Sequence, residues 1–117
     1  MAVEGGVPPG LVLTKSIVLC LLRATRHVNS HLTAIAHRVL ARLVAAAKKF
    51  GSRYCLKVAT LLLTRGGNDS FGPACGDAVA ALADGLEPSD RASYAVVWAR
   101  ATLSVYRTHP TLLRFAS

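Results

Sequence analysis

Cys20, His27 and His31 are the residues whose types and spacing come nearest to a metal site. The two histidines lie four apart and the thiol seven residues earlier, so on one unbroken helix all three would share a face. Asn29-Ser30 is expected to break the helix between them, and no fourth ligand stands nearby, so no metal is expected. The glycine-rich run 65–76, RGGNDSFGPACG, has the composition of a phosphate loop. It lacks Gly-Lys-Ser/Thr, follows no strand and carries Asp69, which would repel phosphate, so it reads as an interhelical loop. Asp77, Asp84, Glu87 and Asp90 could pair as carboxylates for acid–base work. Their places at helix ends and a turn are explained by capping, and serine, histidine and aspartate form no nucleophile motif. Catalysis and a bound cofactor are therefore not expected.

The charge pattern points instead to binding. The 117 residues carry 14 Lys and Arg against 6 Asp and Glu, a net charge of +8. Ten of those bases lie between Gly5 and Asn68 without a single acid, whereas Gly66 to Asp90 holds five acids and no base. Such a segregated field favours anionic partners: acidic protein, nucleic acid or anionic lipid. Its sharpest expression is the edge His31, Arg38, Arg42 and Lys49, extended by Arg53 if the helix runs on through Gly51. Helix surfaces usually mix signs for support four residues apart, but Arg38 and Arg42 are like charges at that spacing.

The element that positions this edge is the stretch 28–50. Leu32, Ile35, Ala36, Val39, Leu40, Leu43, Val44 and Ala47 recur at helical spacing, with Ser30 as expected N-cap and Gly51 as stop. Ala34, Ala41 and Ala45 run along the other side as a strip suited to helix docking. The chain is expected to be organised around this helix. A first helix is expected over 11–27, after a Gly/Pro-rich arm at 1–10. A short, largely buried helix follows at 54–64, then an Ala-rich helix at 74–83 with acids partly near its N-terminus. The last long helix runs from Pro88 to about Thr108, with one face of Tyr94, Val97, Trp98, Ala101 and Val105. Ala92, Val96, Ala99 and Leu103 make its second apolar face. His109-Pro110 should end it, and 111–116 has room for one more turn. Nothing alternates with the strand period, so residues 11–117 read as one all-α domain, an irregular bundle of four to five helices.

The apolar share is 52% and the mean hydropathy +0.39, high for so small a domain. A chain this short has a large surface for its volume and is expected to bury part of its aliphatic area against something else. No segment reads as a transmembrane span; 11–22 is too short and carries Lys15. Nor does it read as a secretory signal. Three widely spaced cysteines without a Cys-x-x-Cys suggest a reducing compartment. The sum is a non-catalytic accessory or structural subunit of a large multi-subunit assembly, acting by protein–protein docking. An RNA- or DNA-binding module and a peripheral protein on anionic lipid are the alternatives.

The acid-poor, Arg- and Ala-rich N-terminal half is similar to matrix-targeting composition, which implies a mitochondrial setting. In general character the chain resembles small basic helical subunits of respiratory complexes, ATP synthase and the mitoribosome. Leu21-Leu22-Arg23 resembles the LYR motif of matrix assembly factors at two of three positions. Leu22 stands where that motif needs tyrosine, and no membership is assigned.

Overall fold

The computed structural model describes residues 14–108, with side chains as far as residue 104. These form five α-helices and a 3-10 turn, with no strand among the described residues. The all-α reading therefore holds. The arm 1–10, residues 11–13, His109-Pro110 and the expected final turn lie outside the described residues.

Helix α1 covers Lys15–Ala24, with Thr14 as N-cap accepting from the Ile17 amide at 3.2 Å. It stops short of the expected His27 because the Thr25 hydroxyl turns back onto the Leu22 carbonyl at 2.5 Å. Arg26 and His27 then donate to carbonyls three residues back, tightening the last turn into a close. Helix α2 covers Ser30–Phe50. Its N-cap is Asn29, one residue before the expected Ser30, and Asn29 Oδ1 accepts from the amides of His31 and Leu32. Gly51 ends α2 at φ 112°, a conformation that a side chain would strain.

Helix α3, Ser52–Arg65, is the hub of the fold. Tyr54, Cys55, Val58, Ala59, Leu62 and Leu63 are buried, and α3 touches each of the other four α-helices. This corrects the expectation that the chain is organised around the longer α2. The physical reason is the width of the apolar face: paired residues every turn bury more than half the α3 cylinder. Helix α2, by contrast, offers the core only Ala36, Leu40 and Ala47 as fully buried residues.

The glycine-rich stretch is more structured than a loop. Gly67–Phe71 is a 3-10 turn, and Pro73–Asp84 forms α4. The turn is clamped from within by Ser70, whose buried hydroxyl donates to the Leu62 carbonyl at 2.6 Å. It is clamped from outside by Asp69, which meets Arg23 of α1 and Arg26 of the turn after it at 3.2 Å each. The first turn of α4 carries no acid; Asp77, on the second turn, is the acid near its N-terminus, and Asp84 closes the helix. Helix α5 covers Pro88–Thr108. Its start is tied to the start of α3 through Ser52, which donates to Asp90 at 2.5 Å and accepts from the Glu87 amide at 2.8 Å.

The molecule is 21 Å thick on its shortest axis, about two helix diameters. A slab of two helix layers leaves each helix an outward side; on the hub it is charged or polar, with Arg53, Lys57, Thr64 and Arg65 exposed. The apolar surplus foreseen from composition must then sit on the outward sides of the other helices.

Candidate docking surface

Helix α2 shows how that surplus is distributed. Its apolar arc, continuous in the sequence, is split by the fold. Ala36, Leu40 and Ala47 point into the core, and Leu43 and Val44 pack against it half-buried. Leu32, Ile35 and Val39 are 43%, 39% and 45% exposed, forming a ridge three and four residues apart along the helix. Val28, in the turn just before the N-cap, is almost fully exposed as well.

The basic residues lie next to this ridge. His31, Arg38, Arg42 and Lys49 are exposed. Among the described residues, no ion pair reaches Arg38, Arg42, Lys48 or Lys49. The bridges join Arg23 and Arg26 to Asp69 and Arg53 to Asp90. The result is an apolar ridge bordered by unneutralised cations, all on one rigid helix. Arg53 departs from the expected edge. The helix does not run through Gly51, so Arg53 stands on α3, 3.8 Å from Asp90 with its side chain largely in water.

Ala34, Ala41 and Ala45 are exposed as well. Ala41 lines an open groove between α2 and α4, with His37, Leu40, Val44, Asp77 and Ala78 among its other walls. The alanine strip and the ridge thus lie on opposite flanks of α2. Periodicity alone cannot separate Leu32, Ile35 and Val39 from the core residues beside them, because both groups keep the same period. The one available signal was the width of the arc, broader than a single neighbouring helix covers.

The chemistry-bearing groups weighed from sequence do not converge. His27 lies in the turn between α1 and α2, where its Nδ1 accepts from the Asn29 amide at 3.0 Å. His31 sits beyond the Asn29 cap, so the two histidines do not share one helix. Among the described residues, no three His, Cys, Asp or Glu gather as a metal would require. Asp69 and Asp90 are engaged in holding elements together, while Asp77, Asp84 and Glu87 are exposed. The groups with altered proton affinity belong to the packed interior. Burial pushes the Cys75 thiol up to about 11, with the nearby Asp69 charge adding to the effect. Burial also raises Cys55, partly offset by Lys48, and raises Tyr54 and Tyr94. Leu22, the central residue of the LYR-like triplet, is a core residue only 1% exposed.

No helix among the described residues is long and apolar enough to cross a membrane. Comparison of the chain with protein-family models, with curated proteins and with solved structures finds no match.

Proposed function

We propose that this protein is a non-catalytic accessory subunit of a larger assembly, and that α2 is its docking helix. The observation that carries this reading is the ridge Leu32, Ile35 and Val39 bordered by His31, Arg38, Arg42 and Lys49, with no ion pair to Arg38, Arg42 or Lys49 among the described residues. An amphipathic helix with Leu- or Val-type knobs and flanking Asp or Glu would cover the ridge and satisfy the cations together. Apolar burial would supply most of the affinity, and the charges would set partner choice and encounter rate. The alanine strip offers a close-approach surface for a second helix on the opposite flank. A mitochondrial assembly is the proposed setting, supported by the acid-poor, Arg-rich N-terminal half.

Affinity purification of the tagged full chain at low salt tests the docking role. Wild type should recover a partner in fixed stoichiometry, and the Arg38→Glu/Arg42→Glu double variant should lose it while its circular dichroism stays unchanged. Recovery of nucleic acid in place of protein would overturn the reading in favour of an RNA or DNA binder. So would flotation of the chain with anionic vesicles but no protein partner, in favour of a lipid-surface role.

A further inference from the structure

Among the described residues, the outer side of α5 is a second uncovered apolar surface, separate from α2. Ala92, Val96, Ala99 and Leu103 are all exposed, Val96 at 50% and Leu103 at 55%. Tyr94, Val97 and Ala101 occupy the opposite side and pack against the core. The outer four are spaced four, three and four apart, which is the spacing of a two-helix seam rather than of a broad globular face. We propose that this seam takes a second copy of the chain, α5 against α5, antiparallel about a two-fold axis between Val96 and Ala99.

Side-chain size argues for that occupant. In the antiparallel register, Ala92 comes opposite Leu103 of the second copy, and Val96 opposite its Ala99. Every layer then pairs a small residue with a larger one, so the layers fill evenly. A parallel pair in register would stack leucine on leucine at one end and alanine on alanine at the other. Charge argues the same way. The sequence places Asp84 and Glu87 just before α5 with one exposed base, Arg91, on its first turn, and Arg100 and Arg107 without any acid in its later half, so the early end is the acidic one on balance. Antiparallel copies bring ends of opposite sign together, and parallel copies bring like ends together. Because the same patch serves on both copies, the contact closes at two and leaves no end to grow from. A seam of four small and medium side chains is a limited contact, so the dimer is expected to be weak, dissociating on the order of 10 μM.

Sedimentation velocity of the full chain in reducing buffer, from about 1 to about 200 μM, measures this directly. Wild type should pass from monomer to dimer across that range. Val96→Lys, which alters a residue outside the core, should keep the helical circular dichroism and stay monomeric throughout. Register is read by disulfide formation in a Cys20→Ser background. Chains carrying Val96→Cys mixed with chains carrying Ala99→Cys should cross-link quickly, and Ala92→Cys alone should not. A wild-type monomer at every concentration overturns the proposal, as would follow if another segment of the chain covered the seam. A dimer that survives Val96→Lys, or rapid self-linking of Ala92→Cys, overturns it too.

Discussion

Gly66 and Gly76 invite the same substitution and should answer it with opposite signs. A Cβ built on Gly66 would lie 2.3 Å from Ser70 Oγ, 2.7 Å from Leu22 Cδ1 and 2.8 Å from the Leu62 carbonyl oxygen. The carbonyl belongs to the hub helix and cannot retreat without bending it. Ser70 could rotate aside, but it is buried and would give up its bond to Leu62, at a cost of about 1–3 kcal/mol. Leu22 is enclosed, and displacing it adds an overpacking cost of about 1–3 kcal/mol. Gly66→Ala should therefore destabilise the fold by roughly 2–5 kcal/mol in all. Gly76 sits exposed on α4, and its added Cβ meets nothing within 4 Å. There the alanine only removes unfolded-state freedom, so Gly76→Ala should stabilise by about 0.5–1 kcal/mol. Urea unfolding followed by circular dichroism reads both. In thermal melts Gly66→Ala should fall by more than about 10 °C, and Gly76→Ala should rise by a few degrees. If both variants moved together, or Gly66→Ala stayed within about 0.5 kcal/mol of wild type, the close approach of the 3-10 turn to α1 and α3 would be refuted.

Ser52→Ala should cost about 1–3 kcal/mol in urea unfolding, because buried Asp90 loses its nearest donor and keeps only Arg53 at 3.8 Å. Leu40→Ala should cost about 2–5 kcal/mol and Leu32→Ala markedly less, since the fold buries only the first of these two α2 leucines. Folded Cys75 holds its proton up to about 11, whereas the unfolded thiol releases it near 9.0. Stability should therefore be whole below pH 9 and fall as pH rises toward 11, by about 2–3 kcal/mol from this thiol. Cys75→Ala should flatten that fall in pH-dependent urea titrations. At pH 8 only Cys20 should react promptly with a thiol reagent in the native protein, and all three cysteines after unfolding.

The helices themselves were legible because their punctuation is strong. Gly51 after two lysines, Pro73 at a helix start, and Pro88-Ser89-Asp90 each placed a boundary within a residue or two. What the sequence hid was tertiary. The 3-10 turn depends on Ser70 reaching a carbonyl eight residues back and on Asp69 reaching α1 across more than forty positions. No local pattern encodes either contact. The hub role of α3 was foreshadowed by its thin polar strip, yet the length of α2 drew the organising role to the wrong helix. On the candidate docking surface, the basic residues could be read directly because missing acids are visible in one dimension. The ridge beside them could not, since Leu32 and Leu40 obey the same period and only the placement of α3 and α4 separates them.

The docking role rests on one quantity, the size of the particle that contains this chain in its native source. Size-exclusion of a gentle extract, with the chain followed by antibody, should place it in a particle far larger than 12.3 kDa or its dimer. Arg38→Glu/Arg42→Glu should shift it out of that particle. A soluble, well-folded chain that elutes only as a monomer or a pair of copies would contradict the assignment of α2 as a docking helix.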